Sequence, residues 1–178
     1  MRLDLTRVQG PREHVERCYP AEALDTREDD FRVTRDIELA LEVERKPPGY
    51  RLAGRVISEL ELPCSRCLEP FRWPVDTTFD LLYLPASANT GEGEREVGGD
   101  ELNAAFYHDD EVDLGHLVRE QFYLSQPMKP LCRDDCQGLC PVCGANRNLG
   151  PCGCDNRWED PRLAPLKGLL GGRPAGDE

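Results

Sequence analysis

Eight of the nine cysteines in this 178-residue chain stand in four close pairs. Two residues separate Cys64 from Cys67, three separate Cys132 from Cys136, two separate Cys140 from Cys143, and one separates Cys152 from Cys154. Cys18 stands alone. No apolar run reaches the ~20 residues of a membrane span. The segment Met1–Arg7 lacks the apolar stretch of a secretory leader. A reducing, cytoplasmic setting is therefore expected, where thiols at this density serve as metal ligands rather than disulfides.

The chemistry follows from the spacing. A C-x2-C turn lets two thiolates converge on one ion. In Cys140-Pro141-Val142-Cys143-Gly144 the glycine after the second cysteine relieves crowding. Four thiolates suit zinc, and four pairs fit two zinc ions. Cys140, Cys143, Cys152 and Cys154 can close one site alone. Cys132 and Cys136 can then reach Cys64 and Cys67, stapling the later loop to the sheet. A second outcome is one zinc held by four of the six later cysteines, leaving Cys64 and Cys67 free. An iron–sulfur cluster suits the same donors. A thiol–disulfide switch at Cys64–Cys67 is a further alternative, with Arg66 lowering a thiolate pKa. Four-thiolate sites leave no open position for water, so a structural role is expected. No phosphate-binding loop, nucleophile elbow or H-E-x-x-H motif is present, and no enzyme is expected. No small-molecule substrate and no membrane partner are expected either.

Around the cysteines the pattern is that of an α+β domain. Ile37, Leu39, Leu41 and Val43 alternate with polar residues, as a half-buried strand does. Pro47-Pro48-Gly49 turns the chain. A second strand covers Leu52 to Leu62, with Val56, Ser58, Leu60 and Leu62 on one face. A third covers Phe71 to Tyr83, with Pro74 marking an edge. Short connections predict an antiparallel β-meander. Leu3 and Leu5 suggest a short strand. Residues 9–30, polar and acidic, predict loops or a short helix. The Gly-rich acidic stretch 86–101 predicts a mobile loop. A helix is expected over 113–126, with Asp113 as N-cap, Leu114, Leu117, Val118 and Phe122 as its buried stripe, and Pro127 as its stop. His116 points off that stripe. His108, beside Asp109 and Asp110, reads as part of an acidic turn. Asp160-Pro161 predicts a short final helix. Two modules result: an acidic β-rich body over 1–126 and a metal-binding module over 127–173 packed on it.

Net charge is −12, which excludes a broad cationic coat for nucleic acid. The charge is uneven. Residues 127–173 carry seven basic side chains against five acidic ones, whereas 1–126 carry the acidic excess. This division leaves the acidic body as a candidate surface for a basic partner, and Arg133, Arg147, Arg157, Arg162 and Lys167 as candidate contacts for a local RNA site or a partner.

Five strings, in order, resemble the YceD-like family of bacteria and plastids. They are Pro63-Cys64-Ser65-Arg66-Cys67-Leu68-Glu69-Pro70-Phe71; Asp113-Leu114 with Val118-Arg119-Glu120-Gln121; Pro127-Met128-Lys129-Pro130-Leu131-Cys132; Cys136-Gln137-Gly138-Leu139-Cys140-Pro141-Val142-Cys143-Gly144-Ala145-Asn146; and Asp160-Pro161-Arg162-Leu163-Ala164. The resemblance spans roughly 36–170. It departs from the family's Asn-Leu-Asn at Asn146-Arg147-Asn148. It implies a non-enzymatic ribosome-biogenesis factor supporting synthesis, processing or stability of large-subunit (23S) rRNA. The partner would be the rRNA precursor, a basic ribosomal protein or an assembly factor.

Overall fold

The computed structural model describes residues 1–8, 10–88, 103–155 and 162. Strict alternation in Ile37–Lys46 makes strand β4, whose Ile37, Leu39, Leu41 and Val43 are buried while Glu38 and Glu42 face water. The Pro47-Pro48 turn, with a cis peptide, leads into β5, Gly49–Pro63. Leu52, Val56, Leu60 and Leu62 extend the same buried face. Ser58 joins them because its hydroxyl donates to the Arg35 carbonyl oxygen at 2.9 Å. β6, Pro70–Pro85, pairs antiparallel with β5 from Pro63–Pro70 to Tyr50–Tyr83 and adds Val75, Phe79 and Tyr83 to the core. Gly54 is needed where β4 crosses closely: a Cβ there would lie 2.4 Å from the Ala40 carbonyl oxygen.

Three further strands complete a six-stranded sheet: β2 (Arg12–Tyr19) beside β4, β3 (Arg32–Val33) on β5, and β7 (Ala104–Tyr107) beside β6. Two expectations are corrected here. Residues 12–19 form a strand rather than loop or helix. Only Val15 of that strand is buried, so hydropathy alternation is faint, and the backbone is held by eight residues of register with β4. The sheet is also mixed, because β7 runs parallel to β6. At Pro74, β6 pairs only with β5 among the described residues, where a missing N–H costs the ladder nothing.

β1 (Arg2–Asp4) and β8 (Glu111–Asp113) form a separate two-stranded ribbon. Directly after β8 comes helix α1, Leu114–Ser125. The Asp113 carboxylate accepts from the N–H groups of Gly115 and His116, satisfying two donors the first turn leaves open. Leu114, Leu117, Val118 and Phe122 are wholly buried, and His116 is exposed. Phe31 meets Phe122 edge-on at 5.8 Å, and Arg119 and Tyr123 hold Asp29 of the same loop. His108 and Glu111 bridge the turn through Asp109 and Asp110.

The chain divides into two compact units, one of Met1–Ser65 with Glu69–Cys132, the other of Arg66–Leu68 with Arg133–Glu178. Ala86–Ala88 forms a single 3-10 turn. The rest of the expected 86–101 loop lies outside the described residues, as does the helix expected after Asp160, apart from Arg162.

Candidate metal centres

Two loops turn on themselves to aim sulfur inward. In the first, the β5–β6 hairpin ends in the knuckle of Cys64 and Cys67. The Cys64 N–H donates to the Glu69 carbonyl oxygen at 3.0 Å, which closes the turn. Leu68 takes a left-handed backbone, φ 63°, to complete it. The Ser65 N–H donates to the Pro130 carbonyl oxygen at 2.8 Å, holding the segment that leads to Cys132.

In the second, Arg66–Leu68 and the chain from Arg133 interlock through the backbone. The Leu139 N–H donates to the Arg66 carbonyl oxygen at 3.0 Å. The Arg66 guanidinium donates to the carbonyl oxygen of Cys136 at 2.9 Å. Gly138 passes so close that a Cβ would lie 3.0 Å from the Arg66 carbonyl oxygen, at a φ of +69° that side chains rarely adopt. The next knuckle repeats the hairpin's logic: the Gly144 N–H donates back to the Cys140 carbonyl oxygen at 2.9 Å, and Cys140 N–H to that of Ala145 at 2.8 Å.

The thiols gather into two groups of four. Cys64, Cys67, Cys132 and Cys136 make one; Cys140, Cys143, Cys152 and Cys154 make the other. Within each, all sulfurs lie within 4.8 Å of one another. A tetrahedral zinc at ~2.3 Å from each sulfur places sulfurs ~3.8 Å apart, so both groups fit an ion of that size. None of the described cysteines is in a disulfide. Cys64, Cys67 and Cys136 are buried, with Cys132 half-buried; in the second group only Cys140 is buried and Cys143 is exposed.

Local donors already reach one sulfur of each group. The Asn148 side-chain amide donates to the Cys136 sulfur at 3.3 Å, and the Val142 N–H to that of Cys140 at 3.4 Å. The backbone N–H groups of Cys143 and Val142 hold Cys140 down to about 6. Hydrogen bonding with Cys143 and Cys152 pushes Cys154 up to about 12. Sulfurs this close resist a last ionisation unless a cation offsets their charge, and a divalent ion deprotonates a coordinating thiol outright.

Asn148 is the site residue that sequence reasoning missed. Its side-chain oxygen accepts from Arg133 at 2.7 Å and from the Gln137 N–H at 2.8 Å while its amide reaches Cys136. The signal was present in Asn146-Arg147-Asn148, with Asn146 in turn accepting the Asn148 N–H at 3.0 Å. Among the residues expected to approach RNA, Arg133 also pairs with Asp135, and Arg147 and Arg162 are exposed. Arg157 and Lys167 lie outside the described residues. Among the described residues no helix is long and apolar enough to cross a membrane.

Among the described residues, a mostly antiparallel sheet, one capped helix and eight thiols in two tetrads define an α+β protein with two places able to hold a metal ion. The chain belongs to the YceD family: the family described as large ribosomal RNA subunit accumulation protein YceD matches residues 52–170. An uncharacterized protein of Mycobacterium tuberculosis (strain ATCC 25618 / H37Rv) is 33% identical over 76% of this chain and 62% of its own. The large ribosomal RNA subunit accumulation protein YCED homolog 1, chloroplastic, of Zea mays is 28% identical over 74% of this chain and 53% of its own. The Arabidopsis thaliana protein of the same description is 26% identical over 78% and 53% respectively. The chain thus spans between about half and just under two thirds of these relatives' lengths. No solved structure matches.

Proposed function

We propose that this protein is a non-enzymatic factor supporting the synthesis, processing or stability of large-subunit rRNA, and that two structural zinc ions hold its cysteine loops in shape. The observation that carries the metal part is the composition of the two tetrads, four sulfurs each with a spacing that suits a closed tetrahedral site. The family's description supports the rRNA part. Burial of Cys64 and Cys67 weighs against the redox alternative, since reactive cysteines are accessible. In this reading Cys64, Cys67, Cys132 and Cys136 hold one ion and Cys140, Cys143, Cys152 and Cys154 the other. Metal binding supplies folding free energy to loops with few apolar residues. The acidic strands face a basic protein partner, and Arg147 and Arg162 approach RNA.

The test is elemental analysis of protein purified without a metal-affinity tag, joined to rRNA measurement in cells. Two zincs per chain are expected, falling to one in Cys64→Ser and to one in Cys152→Ser. Iron, or a single zinc untouched by Cys64→Ser, overturns the metal assignment. Depletion of the protein should lower large-subunit rRNA relative to small-subunit rRNA. An unchanged ratio overturns the functional one.

A further inference from the structure

β2 closes one side of the six-stranded sheet, and among the described residues no strand pairs with its far edge. One bond tells which of its backbone groups face outward. The Arg45 N–H donates to the Pro11 carbonyl oxygen at 3.0 Å, in the register that sets Arg12 opposite Glu44. Hydrogen-bonded positions in an antiparallel pair recur every second residue. Residues 13, 15, 17 and 19 therefore direct their N–H and C=O groups to β4. Arg12, His14, Glu16 and Cys18 direct theirs away from the sheet. Pro11 and Pro20 bracket this row of open donors and acceptors.

Sheet edges are usually protected by proline, bulges, short length or charged side chains, lysine above all. β2 has eight residues, and none of its positions is proline or lysine. Its charges are arranged about Val15 instead: His14 and Glu16 one residue to either side, Glu13 and Arg17 two residues to either side. Neither Glu13 nor Arg17 has an ion-pair partner among the described residues.

Consider a second copy of β2 laid antiparallel against this edge. Outward-pointing residues must face one another, which restricts the register to steps of two. Centred on Val15, His14 faces Glu16 of the second copy and Arg12 faces Cys18 in the hydrogen-bonded positions. Glu13 faces Arg17 and Val15 faces Val15 in the non-bonded positions, where side chains approach closest. Glu13 and Arg17 then form pairs of opposite charge, and His14, which already meets Glu16 of its own strand at 3.1 Å, faces the Glu16 of the second copy. The neighbouring registers fail: centring on Glu16 sets carboxylate against carboxylate, and centring on His14 sets histidine against histidine and leaves Glu13 facing Val15.

We infer that β2 pairs with β2 of a second copy of this chain, antiparallel and centred on Val15, to join two sheets into one. The contact is one strand wide, so the dimer is concentration-dependent.

Sedimentation velocity of the full chain over a concentration series, with circular dichroism as a check on folding, tests this. The expected result is twice the chain mass at high concentration. Arg17→Glu sets an acid against Glu13 at both symmetric positions and should weaken association about tenfold. The exchange Glu13→Arg with Arg17→Glu should restore it. Glu16→Pro removes an outward N–H that β4 does not use and should abolish the dimer with the fold intact. A monomer at every concentration overturns the inference, as does a dimer indifferent to Arg17→Glu or one that the double exchange fails to restore. A monomer whose edge accepts a strand from another protein overturns it too.

Discussion

Tyr83 shows how one side chain couples the core to pH. Burial, with the charges of Glu120 and Asp113 adding to it, pushes its phenol up to about 12. An unfolded tyrosine ionises near ~10. The folded protein therefore keeps a proton that the unfolded chain gives up. The stability this contributes is fully present below about pH 10 and is lost as pH rises towards 12. The unfolding free energy from urea titration should fall across that window by roughly 2–3 kcal/mol, and Tyr83→Phe should flatten the fall. An unchanged alkaline decline in the variant would place its cause elsewhere. Gly138 acts through the backbone. Gly138→Ala should cost about 1–2 kcal/mol, measured as an earlier loss of metal on titration with a chelator. The glycine itself is visible in the sequence. That its neighbour is Arg66 is not, because the approach joins segments far apart in the chain.

At the scale of elements, legibility followed how strongly one face is buried. β4, β5, β6 and α1 each place several large apolar residues in the core at a regular period, and the sequence displays that period directly. The Asp113 cap was equally legible, because a short acid before an apolar stripe has a local mechanism. Asp113→Ala should cost about 0.5–2 kcal/mol in thermal or urea unfolding; a loss within error would mean that packing alone sets the helix start. β2 was missed because an edge strand with a single buried residue carries almost no hydropathy signal. Its order resides in pairing with β4 and in ion pairs such as Arg12 with Glu42 and Glu44, none of which is local. The parallel placement of β7 was illegible for a related reason. Four residues cannot announce the direction of a partner that lies across a long connection.

At the scale of the whole molecule, the cysteines were the most informative letters in the chain. The partition into 64–67 with 132–136, and 140–143 with 152–154, was one of several that spacing allowed, and the structure groups the sulfurs in that way. Asn148 was harder to find, since an asparagine near cysteines has no spacing rule of its own. The two tetrads also differ in how they come into being. Cys140 to Cys154 leave the ribosome within about 1–3 seconds of one another at ordinary translation rates. Cys67 and Cys132 are separated by 65 positions, so the hairpin emerges with its two thiols about 3–13 seconds ahead of their partners. During that interval the nascent chain carries a bare dithiol that an oxidant can bridge, and a bridged pair has no thiolates left to meet Cys132 and Cys136. Oxidative stress during synthesis should therefore spoil the first tetrad in newly made chains while finished molecules resist it.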